Sequence, residues 1–136
     1  MDNLIAKADT LLEALPYVQR FRGETFVIKY GGSFMDSTDS AVRGGVARDV
    51  VFIEAVGINP VIVHGGGKAI TRALEQAGVE TRFEQGYRVT TAKSVEVVEQ
   101  VLSREINPSI VGMINKLGGK ARGFSGTEIF RCKPFR

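Results

Sequence analysis

Apolar residues in the first part of the chain recur at helical spacing. Residues 2–15 place them three and four positions apart, so that they form one face of a predicted helix: Leu4, Ile5, Ala8, Leu11, Leu12 and Leu15. Pro16 has no backbone N–H, so it should end or kink this helix. We therefore expect residues 17–23 to form a short basic connection to the rest of the chain.

Two short apolar runs predict buried strands, and each run leads through glycines into a helix. The runs cover residues 26–28 and 60–63, and the helices that follow cover about 40–56 and 68–77. Residues 36–39 offer several N-caps for the first of these helices. The faces expected to be buried contain Val42, Val46, Val50 and Ile53 in the first helix and Ile70, Ala73, Leu74 and Ala77 in the second.

The next part of the chain predicts a hairpin and two helices. Residues 79–91 alternate between polar and apolar around Gly86, as an exposed hairpin does. Residues 94–102 have helical spacing. Asn107 and Pro108 then predict the N-cap and the first turn of a separate helix, which should end at two consecutive glycines.

The last part of the chain predicts two more short strands. They cover about 121–124 and 127–136. Strands that alternate with helices along the whole chain indicate an α/β layered fold with a mainly parallel central sheet. A three-layer αβα sandwich is the expected architecture.

Composition excludes several classes of protein. The 136 residues are 43% hydrophobic and 24% charged, which is typical of a soluble globular protein. No apolar run approaches the roughly 20 residues of a membrane span, and the first residues lack the pattern of a signal peptide. A single cysteine, Cys132, allows neither an internal disulfide nor a metal-binding spacing, so we expect a cytoplasmic protein. The net charge of +3 is dispersed, which suits a small anionic substrate better than nucleic acid.

The two junctions where a strand meets glycines and then a helix are the candidate sites. At 61–67 a buried strand is followed by His64 and three glycines, where close backbone approach and the start of a helix favour an anion. A tight turn without a ligand is the alternative. Ala69 stands where a P-loop needs Ser or Thr, and the spacing is not that of a dinucleotide-binding motif. At the other junction Lys29 lies near the end of a strand and could meet a phosphate, or could simply be solvated.

Four motifs occur in an order and spacing similar to those of the acetylglutamate kinases, which belong to the amino acid kinase family. They are I-K-Y-G-G, V-I-V-H-G-G-G, F-x-x-G-Y-R-V-T and G-G-K-A-R-G-F-S-G, and the similarity extends over essentially the whole chain. The resemblance implies the N-terminal, substrate-binding lobe of the amino acid kinase fold over 24–136. Residues 1–23 would form a helix and connection ahead of this lobe.

The resemblance also implies an activity and the residues that carry it. The reaction would be ATP-dependent phosphorylation of the side-chain carboxylate of N-acetyl-L-glutamate, in arginine biosynthesis, with ATP and Mg²⁺ as cofactors. Lys29 would stabilise the phosphoryl group in flight, and the planar fork of Arg88 would bind the α-carboxylate of the substrate. His64 is interpreted as structural, and no metal ligand is assigned. The glycines would act as follows: Gly31 and Gly32 on the phosphate side, and Gly65, Gly66 and Gly67 at the substrate.

Three hypotheses about function remain open from the sequence. Relatives are considerably longer and hold the nucleotide in their second half, so we expect this chain to be a fragment that is inactive alone. It could instead belong to a related kinase that phosphorylates aspartate, glutamate or a nucleoside monophosphate, although Arg88 within G-Y-R-V-T favours acetylglutamate. It could also be a non-catalytic binding or assembly module.

The first residues of the chain indicate how the protein assembles, and one residue departs from the family pattern. The first 23 residues resemble the extension of the arginine-inhibited, hexameric branch, so we expect a homo-oligomer, a dimer or a hexamer formed through the N-terminal helix. Thr91 replaces an aspartate that is common after R-V-T in the family. No nucleic-acid or membrane partner is expected.

Overall fold

The computed structural model describes residues 2–31 and 40–131. Helices and strands alternate through this part of the chain, and the expected α/β class with a parallel sheet is confirmed. In chain order the elements are α1 (Asp2–Phe21), β1 (Thr25–Tyr30), α2 (Ser40–Ala55), β2 (Asn59–His64), α3 (Gly67–Gln76), β3 (Phe83–Glu84), β4 (Tyr87–Arg88), α4 (Ala92–Glu99), a π-helical segment (Gln100–Ile106), α5 (Asn107–Lys116) and α6 (Gly126–Ile129).

Helix α1 continues past the proline that was expected to end or kink it. Pro16 lies inside the helix, which continues to Phe21, so the prediction of a connection over 17–23 is wrong for its first five residues. Proline removes the hydrogen bond to the carbonyl four residues earlier, that of Leu12, and its ring crowds that carbonyl. Both Leu12 and Pro16 are exposed, so water can satisfy that carbonyl.

Strands β1 and β2 form a parallel pair whose two faces differ. Alternate side chains point to opposite sides of a strand, and Ile28, Tyr30 and Ile62 face the core under α2 and α5. The other face carries Val27, Val61 and Val63, which are 70%, 46% and 51% exposed. In the described residues the two apolar runs are therefore buried on one face and open on the other.

The core consists of two clusters that share one residue. The first lies between the sheet, α2 and α5 and contains Tyr30, Ala47, Val50, Ile110 and Ile114. The second lies between α3 and the π-helical segment and contains Ile70, Leu74 and Val101. Ile106 packs against both clusters. The Ile106 side chain therefore connects the helices that pack on the sheet with α3, the helix that follows β2.

The helix over residues 92–116 is continuous, which corrects the expectation of a separate helix capped by Asn107. Asn107 has helical dihedral angles, and its backbone N–H donates five residues back, to the carbonyl of Leu102. A π-type turn of this kind widens the helix just before Pro108, whose ring would otherwise crowd the carbonyl four residues earlier. The Asn107 side chain is thereby released from capping and reaches across to Phe124, where its amide donates to the backbone carbonyl at 3.2 Å.

Residues 121–131 contain no strand, and this prediction is wrong. The backbone of Ala121 bonds to the side chain of Asn115 instead of to a neighbouring strand. Ser125 and Glu128 then form a capping box, each side chain accepting from the other's backbone N–H, and this starts the short helix α6. Residues 132–136, the rest of the predicted last strand, lie outside the described residues, as do the predicted N-caps at 36–39.

The predicted hairpin is confirmed. Phe83 pairs with Arg88, and Glu84 with Tyr87. Gln85 and Gly86 form the two-residue turn with φ of 50° and 83°. Left-handed values at both positions match the twist of an antiparallel pair, and glycine takes such values without steric cost.

Candidate functional site

The first residues after β1 and β2, Gly31 and Gly65, lie at the carboxyl ends of neighbouring strands. Tyr30 and His64 are register partners at the ends of β1 and β2, so Gly31 and Gly65 leave the sheet at the same edge. Ligand sites of open α/β sheets collect at this edge. Lys29 lies one residue before the end of β1, exposed, on the face opposite Tyr30. Gly32, the other predicted phosphate-side residue, lies outside the described residues.

Gly66 is the point where the second loop touches the rest of the fold. A Cβ at this position would lie 2.6 Å from Cδ1 of Ile106 and 3.0 Å from Cδ2 of Leu102, so a larger residue here would force these side chains of the π-helical segment to shift. At Gly65 and Gly67 a Cβ would meet nothing within 4 Å. The loop is thus packed at its centre, while both flanking glycines border open space.

His64 links this loop to α5. Its Nδ1 lies 3.2 Å from the carbonyl oxygen of Gly65, and its Nε2 lies 3.4 Å from the side-chain nitrogen of Asn107. Both contacts are satisfied when Nδ1 carries the hydrogen and donates, and Nε2 accepts from the asparagine amide. The arrangement fits the interpretation of His64 as a structural residue at the entrance of the loop.

Arg88 is held in place by three neighbours. Its Nη2 donates to the Thr71 hydroxyl at 2.8 Å, and its Nη1 donates to the Thr81 hydroxyl at 3.3 Å. The guanidinium carbon lies 4.7 Å from the ring centre of Phe83, its cross-strand partner. Arg88 is half-buried, so it is not the solvent-facing arginine that a hairpin alone would suggest.

Arg88 faces an open groove of about 680 Å³ between the hairpin and α3. The groove also contains cationic Lys68 and Arg72, the carboxylate Glu75, and Gly67 at the start of α3. Within residues 2–31 and 40–131, no carboxylate forms an ion pair with Arg88. A half-buried cation without a protein counter-ion in this part of the chain favours an anionic ligand.

A second cavity of about 660 Å³ borders β2 and α5. Its lining is mainly apolar and includes Val61, Ile110 and Phe124, with His64 and Asn107 among the polar groups. The groove beside α3 has three cationic side chains and one carboxylate, which suits an anionic substrate, whereas this second cavity has two cationic side chains and one carboxylate in a mainly apolar lining.

Sequence reasoning missed the residues that surround Arg88. Thr71 stands four positions after Gly67, on the same face of α3, so helical spacing could have drawn attention to it. Thr81 and Phe83 become neighbours of Arg88 only because the hairpin folds back on itself, and no local signal marks them. Asn107 was assigned a capping role from its proximity to proline.

The part of the chain that the structure describes contains neither a metal-binding cluster nor a membrane-spanning helix. In residues 2–31 and 40–131, no three His, Cys, Asp or Glu residues gather where they could hold a metal ion. None of the helices in these ranges is long and apolar enough to cross a bilayer.

Comparison with known protein families matches residues 24–133 to the amino acid kinase family. This match covers most of the chain, and the chain belongs to that family. The names of curated proteins similar to this chain are more specific than the family description. The acetylglutamate kinase of Akkermansia muciniphila is 51% identical over 127 residues, and that of Sphingopyxis alaskensis is 55% identical over 128. These alignments cover 93% and 94% of this chain but 42% of each relative, so the chain spans about two-fifths of their length.

Solved structures share the fold. The N-acetylglutamate synthase of Neisseria gonorrhoeae, solved with coenzyme A and N-acetyl-glutamate, matches 80% of this chain and 24% of its own, with a TM-score of 0.60 and 21% identity. The Streptococcus mutans protein smu.665 matches 74% of this chain and 39% of its own, with a TM-score of 0.59 and 25% identity. At 21% identity, the likeness to the synthase establishes the fold alone.

Proposed function

We propose that this chain is the substrate-binding part of an acetylglutamate kinase. The reaction transfers the γ-phosphoryl group of ATP to the side-chain carboxylate of N-acetyl-L-glutamate, as a step of arginine biosynthesis in the cytoplasm. The observation that carries the proposal is Arg88, a half-buried cation directed at a groove that reaches the start of α3. The curated relatives that share about half of its residues support the choice of acceptor.

In this proposal the two ends of the substrate contact different groups of the protein. The guanidinium of Arg88 binds the α-carboxylate, because its planar fork matches two oxygens. Backbone groups of Gly65, Gly66 and Gly67 lie along the substrate at the start of α3, where helix amides favour negative charge. This places the other carboxylate, which is the nucleophile, toward the neighbouring loop.

The phosphoryl side of the reaction belongs to the first loop in this proposal. A side-chain carboxylate is ionised at neutral pH, so one of its oxygens attacks the γ-phosphorus without a general base. The new bond joins that oxygen to phosphorus, the bond between the γ-phosphorus and the bridging oxygen breaks, and ADP leaves. Lys29 stabilises the charge in flight, and Gly31 and Gly32 shape the loop around it. Mg²⁺, when bound with ATP, would neutralise charge on the phosphates.

The organisation of the whole protein follows as part of the proposal. Residues 24–136 form the substrate lobe, and the ATP-binding groups belong to the part of the relatives that this chain does not span. The chain alone should bind acetylglutamate without phosphorylating it. Residues 1–23 carry α1, whose apolar side chains are exposed, and we assign this helix to contacts between subunits of a homo-oligomer.

Isothermal titration of N-acetyl-L-glutamate into the chain tests the function. We expect saturable binding that Arg88→Lys weakens by roughly tenfold or more, because lysine keeps the charge but loses the bidentate fork. Arg82→Lys is the matched control, since Arg82 lies in the same hairpin, exposed, paired with Glu84. Tighter binding of aspartate, of unacetylated glutamate or of a nucleoside monophosphate would redirect the proposal to another acceptor. Equal loss in both variants would refute the role of Arg88.

A further inference from the structure

We propose that Thr71 is a positioning residue that orients the Arg88 guanidinium for the substrate carboxylate, an inference that rests on the proposed function. Thr71 lies in α3 and Arg88 at the end of β4, so their contact joins two elements that are not adjacent in the chain. Arg88 is the proposed binding group, and Thr71 acts through it.

The hydroxyl of Thr71 forms the middle of a directed chain of hydrogen bonds. It donates its single hydrogen to the carbonyl of Gly67 at 2.9 Å, which leaves its lone pairs to accept from Nη2 of Arg88 at 2.8 Å. The guanidinium is thereby fixed relative to Gly67, the first residue of α3. The two groups proposed to hold the substrate are thus kept at a set separation.

Three contacts from different directions then define the plane of the guanidinium. Thr71 and Thr81 each accept from a different terminal nitrogen, and the ring of Phe83 lies against the face. A guanidinium has five N–H donors, so three are left without an acceptor in the described part of the chain. One of these lies on each terminal nitrogen and one on Nε, so enough donors remain for a carboxylate that accepts two hydrogen bonds.

An ordinary helical threonine provides the comparison. Thr10 in α1 also donates to the carbonyl four residues earlier, at 3.0 Å, but its hydroxyl accepts from no arginine in the described residues. Replacing Thr10 by valine therefore removes the same local bond without affecting Arg88. Any difference between Thr71→Val and Thr10→Val reports on the second bond.

The experiment compares Thr71→Val, Thr71→Ser and Thr10→Val in the full 136-residue chain. Titration calorimetry uses N-acetyl-L-glutamate and its α-carboxamide analogue, which lacks the charge that Arg88 would bind. We expect Thr71→Val to weaken binding of the acid by roughly fivefold to tenfold, with the amide unaffected. Thr71→Ser keeps the hydroxyl and Thr10→Val keeps the Arg88 contact, so both should stay within about twofold.

Nitrogen-15 NMR of the arginine side chains gives a second readout that needs no ligand. In Thr71→Val the Arg88 terminal nitrogens should rotate and exchange hydrogens faster than in the unsubstituted chain and in Thr71→Ser. If unsubstituted chain binds no acetylglutamate, the proposed function fails while this readout still decides the positioning role. Unchanged Arg88 exchange in Thr71→Val, or equal weakening of acid and amide, would overturn the inference.

Discussion

Leu74 and Leu11 are the same side chain in the same kind of element, yet 1% of Leu74 and 68% of Leu11 is exposed. Leu74 lies in α3, beside the proposed site, inside the cluster shared with the π-helical segment. Leu11 lies on the apolar face of α1, which the described residues leave open. The apolar face of α3 is therefore buried by contacts within the chain. The apolar face of α1 is exposed, and we propose that another subunit covers it.

The largest effect on stability should come from the buried member of this pair. Leu74→Ala removes a fully buried side chain and should lower the free energy of unfolding by about 2–5 kcal/mol. Leu11→Ala should change it by less than about 0.5 kcal/mol under conditions where the chain is monomeric. Urea unfolding followed by circular dichroism measures both. Similar losses in the two variants would mean that α1 packs on the core after all.

A smaller loss is expected at the glycine that touches the π-helical segment. Gly66→Ala places a methyl group against Ile106 and Leu102, and Ile106 has little freedom to move because it packs against both clusters. Overpacking of this kind should cost about 1–3 kcal/mol in the free energy of unfolding. Gly65→Ala is the control for the same unfolding measurement, since its methyl group meets open space. If both variants unfold alike, the loop is less tightly held than the packing indicates.

The smallest effect on the fold, and the largest on assembly, should follow from removing α1. Deletion of residues 1–20 keeps Phe21 and its edge-to-face contact with Phe26, whose ring centres are 5.3 Å apart. The remaining chain should unfold with nearly unchanged stability, and its oligomer should become smaller. Sedimentation velocity of the full and deleted chains compares their sizes. The same size for both chains would assign the apolar face of α1 to some other role.

Much of the site's framework could be predicted from local sequence. The position of Gly31 beside Gly65 follows from two apolar runs that each end in glycines, and the hairpin follows from a two-residue turn with Gly86 at its second position. The role of Thr91 is equally local. It caps α4 by accepting from the backbone of Ser94, whose hydroxyl accepts from the backbone of Thr91 in return. A threonine can therefore cap this helix where the family commonly has aspartate.

The errors arose where a local rule was overridden by surroundings that the sequence does not display. Pro16 was expected to break a helix, but the carbonyl it leaves unpaired is on an exposed residue. Asn107 was assigned to its own helix, whereas its side chain contacts Phe124 and His64, 17 and 43 residues away in sequence. Likewise, the hydrogen bond between Arg88 and Thr71 forms only because the hairpin folds against α3. Solvent exposure decided the first case and tertiary contacts the other two, and hydrophobic periodicity carries no information about these contacts.

The π-helical segment also changes the angular phase of the long helix that contains it. Before the segment, the helix directs Val97 and Val98 toward the cluster under α3, and after it Ile110 and Ile114 enter the cluster under the sheet. Each residue of an α-helix turns about 100° around the axis. Loss of a single residue from Gln100–Ile106 would rotate all later side chains by about that angle relative to the earlier ones. The π-helical turn thus sets the rotation between the two halves of the helix, so that each half packs in a different hydrophobic cluster.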